Sequence, residues 1–208
     1  MTLQLNLDKN SSSVLSLNLD KGSKFNILAY WDTSRDVDIH AIITNDQNKA
    51  TGFQDIVSTY NSLEMYNPDT GAKHVAGAKG PFAPTTKCVV HQGDARTGVA
   101  VQGPTPDEVI SVDTANLPAY AQRIYIVATL HQGNVATFGD VRDFVIQVNK
   151  QDETTPLLRA SVSQDFAQDY IVQLGSFVRA STGWDFDPKC IGLNDPSADF
   201  NTVLSMFS

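Results

Sequence analysis

The chain has 208 residues, with 15 Lys and Arg against 23 Asp and Glu, for a formal charge of −8. Hydrophobic residues make up 41% and charged residues 18%, which is enough apolar material for a packed core and too little charge for a disordered chain. The acidic balance excludes sequence-independent nucleic-acid binding, which draws on Lys/Arg-rich surface, and fits a soluble protein that attracts cations.

The dominant period along the chain is two. Leu3, Leu5 and Leu7 alternate with polar residues, and so do Leu15, Leu17 and Leu19. Such alternation puts one face on a core and the other in water. LNLDK occurs at Leu5–Lys9 and again at Leu17–Lys21, around a turn-like run holding Asn10 and Ser11, and this pair predicts a hairpin. Further strands are expected over Phe25–Trp31, Val37–Ile43, Cys88–His91, Val109–Val112, Ile124–Leu130, Phe144–Val148, Leu157–Val162 and Tyr170–Val178. Turn signals separate them, at Asp20-Lys21-Gly22, Asn45-Asp46, Pro68-Asp69-Thr70-Gly71, Gly103-Pro104 and Gly133-Asn134. Many short strands punctuated in this way predict an all-β fold, an antiparallel β-sandwich, with one or two short helices. One is C-terminal: Ser197 is the expected N-cap, with Phe200, Val203, Leu204 and Phe207 on one face. Asp113–Ala121 is expected to add a helical turn. The chain reads as one domain over 1–208 with an inserted loop at about 65–87, a segment rich in Gly, Ala, Pro, Lys and Thr that carries no strand periodicity.

No run reaches the ~18 apolar residues of a membrane span, and MTLQLNLDKNSSS lacks the charged start and apolar stretch of a secretory signal. A cytoplasmic location is expected. Cys88 and Cys190 lie far apart with no CxxC spacing; they are expected to be free buried thiols, with a disulfide as the alternative.

The acidic residues gather in three places. Asp36, Asp38 and His40 are spaced two apart, so on a strand they share one face. Side-by-side carboxylates repel, and need a positive partner or a raised pKa. A hard divalent cation is one answer, since calcium takes six to eight oxygen ligands; a solvated edge face is the other. His91-Gln92-Gly93-Asp94 places a second acid in a turn, and Pro106-Asp107-Glu108 places two more ahead of a strand. Glycines let a loop turn its carbonyls toward an ion. The twelve-residue helix-loop-helix calcium spacing is not present. The same carboxylates admit a glycosidase-like pair, but no GxSxG, HExxH or Gly-rich phosphate loop accompanies them, and an enzyme is not expected.

Taken together these segments resemble the TerD tellurium-resistance domain family. YWDTSRDVDIHAII at Tyr30–Ile43 resembles its tryptophan–aspartate strand and acidic run, and VVHQGDARTG at Val89–Gly98 its H-x-GDN loop. DEVISVDTANLP at Asp107–Pro118 is similar to its DDE-led strand. RIYIVATLHQ, FGDVRDFVIQVNKQD and the closing GWDFDPKCIG follow in family order. The resemblance implies a β-sandwich whose acidic loops bind calcium, and a non-enzymatic role in resistance to tellurite, phage and colicins and in wider stress responses. It implies action through other proteins, in a homo- or hetero-oligomeric assembly, without nucleic acid.

Carried over residue by residue, the implied calcium ligands are Asp36, Asp38, Asp94, Asp107 and Glu108, with Asp32 weaker and Asp113 orienting a loop or facing solvent. The departures weaken the site. His40, Ala95 and Pro106 stand where the family has oxygen ligands, so at most one of its two ions is expected. His40 is expected to hydrogen-bond, since imidazole suits transition metals better than calcium. A structural subunit, for instance in a phage particle, that keeps the fold and has lost the ion is the alternative. In that case the inserted loop enlarges a binding surface, with Met65, Tyr66 and Phe82 as anchors. Trp31, Trp184, Phe138, Phe144 and Phe186 read as core aromatics.

Overall fold

The structure, a computed structural model, describes residues 2–98, 105–131 and 136–208. The turns expected at Gly103-Pro104 and Gly133-Asn134 lie outside these residues.

Two sheets pack face to face. The first has six strands: β1 (Leu3–Leu7), β3 (Lys24–Tyr30), β6 (Val89–His91), β7 (Glu108–Asp113), β9 (Val145–Lys150) and β10 (Leu158–Val162), in the order β1-β10-β9-β3-β7-β6. The second holds β2 (Leu15–Asp20), β4 (Val37–Thr44), β5 (Ile56–Val57), β8 (Arg123–Leu130), β11 (Ile171–Arg179) and β12 (Gly183–Asp187), in the order β2-β12-β11-β8-β4-β5. β13 (Ile191–Leu193) extends it beside β11. The pairings are antiparallel except for β1 on β10, which is parallel. The eight interior strands expected from periodicity all form, to within a residue or two at each end.

The expected N-terminal hairpin does not form. β1 pairs with β10 in one sheet, and β2 pairs with β12 in the other. The two LNLDK copies thus become edge strands of opposite sheets. Alternation specifies which side chains turn inward; it does not specify a neighbour.

The inward faces build one continuous core reaching from Leu7 to Cys190. Trp31, Phe25, Phe177 and Phe186 lie fully buried in it, with Trp184 nearly so. Phe25 and Phe177 meet at 4.6 Å and Trp31 meets Phe144 edge-on at 6.3 Å, as aromatic quadrupoles favour. β11 carries a bulge between Gln173 and Gly175. Gly175 has φ +117, and a Cβ there would stand 2.7 Å from the Asp187 carbonyl oxygen, so only glycine fits this bend.

A second, smaller core lies on the outer face of the second sheet. The sole α-helix among the described residues, α1 (Phe200–Met206), buries Val203 and lays Phe207 against Ile42, Ile56, Val127 and Ile171. Its N-cap is Asp199 rather than the expected Ser197: Asp199 Oδ1 accepts from the Thr202 N–H and the Thr202 hydroxyl accepts from the Asp199 N–H. Ser197 instead donates its hydroxyl to Asp195 in the preceding turn. The turn expected at Asp113–Ala121 forms without becoming helical.

The alternative reading of β4 as a solvated edge face does not hold, since it lies between β8 and β5 and all eight of its residues are buried. The 65–87 segment is fastened to the fold. Met65 and Phe82 are fully buried in the main core, Tyr66 bridges to Ala83, and Phe82 pairs with His91. Phe82 stacks between His74 and His91 at 4.3 and 4.6 Å, so neither it nor Met65 is an exposed anchor. Both cysteines are free and buried, and among the described residues no helix is long and apolar enough to cross a membrane.

Candidate metal centre

The alternation along β4 sends Val37, Ile39, Ala41 and Ile43 into the main core and leaves Asp38, His40 and Ile42 on the outer face. Asp36 sits just before the strand, and Asp94 in the loop after β6. One carboxylate oxygen from each of Asp36, Asp38 and Asp94 lies within 4.8 Å of the other two. They line a cavity of about 350 Å³ together with Thr59, Tyr60, Gly77, Arg96 and His131. Gly77 comes from the 65–87 segment, so that segment reaches the acidic cavity.

The other predicted ligands are placed differently. Asp107 Oδ2 accepts the Trp31 N–H at 2.9 Å and so fastens the turn after β3. Glu108 is buried and spans the two sheets. Its Oε2 accepts the Ile39 N–H of β4 at 2.8 Å and stands 3.4 Å from His91 Nε2, while Oε1 accepts the Ala95 N–H at 3.3 Å. Both acids position the walls of the cluster and neither belongs to the three-acid group. Asp32 donates its N–H to the Arg142 carbonyl. Asp113 pairs with Lys24 and accepts the Ala115 N–H, orienting its own turn. His40 is fully buried, with Nε2 2.9 Å from the Thr129 hydroxyl; burial, with His91 nearby, pushes its pKa down to about 3, so the ring stays neutral.

Burial and mutual repulsion in the cluster disfavour the ionised acids. Burial, then the neighbouring Glu108 carboxylate, pushes Asp38 up to about 9. Burial, then Asp94, raises Asp36. Glu108 is raised by burial, against the pull of His91. The nearby cations are loosely placed: His131 Nδ1 is 4.0 Å from Asp36, and the exposed Arg96 Nε is 4.0 Å from Asp94.

The donor set fits a hard cation. Every carboxylate donor is oxygen, and a cation with ligands at about 2.3–2.6 Å holds oxygens up to about 5 Å apart across it. Two buried oxygens of the site have no hydrogen-bond partner: Asp36 Oδ1 and the Thr59 hydroxyl. An orphaned hydroxyl in the wall of an acidic cavity is a donor awaiting a partner.

Sequence reasoning gave Thr59 and Tyr60 no role in the site. Tyr60 donates its hydroxyl to Asp38 Oδ2 at 2.6 Å, and its oxygen lies 2.8 Å from His131 Nδ1. Their segment, Ile56–Ser62, resembles a family strand, but only Ile56–Val57 of it forms one, and residues 58–61 carry no periodic signal that marks a site.

The TerD domain model matches residues 3–200. The uncharacterized protein YceE of Bacillus subtilis is 28% identical over 166 residues, 76% of this chain and 74% of its own. General stress protein 16U of the same organism is 25% identical over 165 residues, 75% and 74% of the two chains. Among solved structures, a homologue of telluride resistance protein (TerD) from Streptomyces coelicolor A3(2) superposes with a TM-score of 0.61 at 18% identity, over 89% of this chain and 98% of that one. At that identity the likeness is one of fold.

Proposed function

The chain belongs to the TerD domain family, and from that premise we propose that it is a non-enzymatic, calcium-binding stress protein of the tellurite-resistance type, acting through other proteins. The observation that carries the metal part is the convergence of Asp36, Asp38 and Asp94 around one cavity whose wall holds the unpartnered Thr59 hydroxyl. A single ion fits, because the three carboxylates form one group that neither Asp107 nor Glu108 joins. When bound, calcium supplies positive charge that holds the loops carrying Asp36 and Asp94 against β4. The stress role is supported by family membership and by the similarity to a general stress protein.

The non-enzymatic reading is supported by the state of the nucleophile candidates. Cys88 and Cys190 are buried, and burial raises both thiols, Cys190 to about 12; neither has the electropositive setting a reactive thiolate needs. Calorimetric titration with calcium, read together with the thermal shift on loading, tests the metal part. Binding near one ion per chain supports it, and no heat at millimolar ion removes it.

One observation favours a second reading, a structural subunit that has dispensed with the ion. Tyr60, His131 and Arg96 already stand beside the three carboxylates. The same titration decides between the two.

A further inference from the structure

We infer that helix α1 is a working part of the ion site: through Tyr60, the seating of Phe200 sets the orientation of Asp38, and a bound ion in turn fastens the helix. This rests on the calcium reading above and adds to it a positioning residue and a long lever.

Tyr60 is the wall between two cavities. On one side is the acidic cavity. On the other is a cavity of about 220 Å³ at the start of α1, lined also by Thr129, Tyr170, Asp199 and Phe200. The Tyr60 hydroxyl holds Asp38 Oδ2 at 2.6 Å, which leaves the other carboxylate oxygen for the ion. Its ring lies 5.5 Å from the Phe200 ring, and His40 completes the triangle at 6.0 Å from Tyr60 and 5.5 Å from Phe200. Tyr60 cannot swing without losing one of these contacts.

α1 has seven residues, too few for a helix to persist alone in water. Docking holds it, through Val203 and Phe207 on the outer-face core and through the Ala50 N–H donated to the Phe207 carbonyl. Phe200 is the end of the helix that meets Tyr60. A ligand that fixes Asp38 therefore fixes Tyr60 and favours the docked first turn, and by thermodynamic reciprocity a loosened first turn lowers affinity for the ion by the same factor.

The test uses the full chain with calcium alone, read by calorimetry and by amide exchange along α1. Calcium is expected to slow exchange at Val203–Phe207. Phe200→Ala is expected to weaken calcium binding about fivefold, the lower end of typical couplings, with Phe200→Leu recovering most of it. Tyr60→Phe, which removes the hydroxyl that holds Asp38, is expected to weaken calcium binding about as much as Phe200→Ala and to leave exchange in α1 unresponsive to the ion, with the double variant no weaker than either single one. Equal binding by wild type and Phe200→Ala, with α1 exchange unmoved by calcium, overturns the coupling and leaves the calcium reading standing. No binding to the wild type overturns both.

Discussion

Five acids of one chemical type divide into two jobs. Asp36, Asp38 and Asp94 face a cavity, whereas Asp107 accepts the Trp31 N–H and Glu108 accepts the Ile39 and Ala95 N–H groups. Substitution should separate the jobs. Asp94→Asn should reduce calcium binding with little change in melting temperature. Asp107→Ala should keep binding and cost roughly 1.5–3 kcal/mol, the worth of a hydrogen bond to a charged group, seen in denaturant unfolding. Thr59→Val should weaken binding roughly tenfold, about 1.4 kcal/mol, while leaving the ion-free protein as stable as before, because the hydroxyl removed has no partner. The sign of the pH effect follows from Asp38. Its folded pKa is raised from 3.8 to about 9, so its proton contributes stability below 3.8 that is lost as pH climbs through the folded value. His40 opposes this only below about 6.5, where the unfolded ring takes up a proton and the folded one, held at about 3, does not. The ion-free protein should thus melt lower at pH 8.5 than at pH 6.5, and calcium affinity should rise over the same interval as the ion displaces protons. A flat affinity would contradict the assignment of Asp38. Part of this division was readable in advance: Glu108 shares strand parity with Ile110 and Val112, which face the core. The roles of Thr59 and Tyr60 were not readable, because beyond Val57 the expected strand gives way to an irregular stretch whose course is set by the strands around it.

At the scale of elements, periodicity located strands and could not pair them. β1 and β2 carry the same alternating leucines, and the physics that buries Leu7, Leu17 and Leu19 is satisfied by any sheet. Non-local packing sends them to opposite edges of the sandwich. β12 is hard to read because it runs only five residues, from Gly183 to Asp187, and stops at Pro188; its strand character shows in Trp184 and Phe186, both buried. The 65–87 segment hides its core residues for a related reason. Its Gly, Pro and Ala content masks two residues, Met65 and Phe82, that lie in the main core. Phe82→Ala should cost about 3–5 kcal/mol, the usual range for a fully buried phenylalanine, measured by equilibrium unfolding. Were Phe82 a surface anchor, the loss would be near zero.

At the scale of the whole molecule, the sandwich is a frame that brings three stretches remote in sequence to one end. β4 supplies Asp38, the loop after β6 supplies Asp94, and Glu108 of the opposite sheet ties both in place through the Ile39 and Ala95 N–H groups. Buried acids with loosely placed counter-charges destabilise the folded state, and an ion bound only by the native arrangement offsets that. At a hundredfold excess over its dissociation constant it adds about 2.7 kcal/mol. The most direct test is a calorimetric calcium titration of the wild type beside Asp38→Asn. The account predicts about one ion per chain in the wild type and none in the variant, whose fold is otherwise kept. Equal binding by both proteins, or no heat from either, would contradict it.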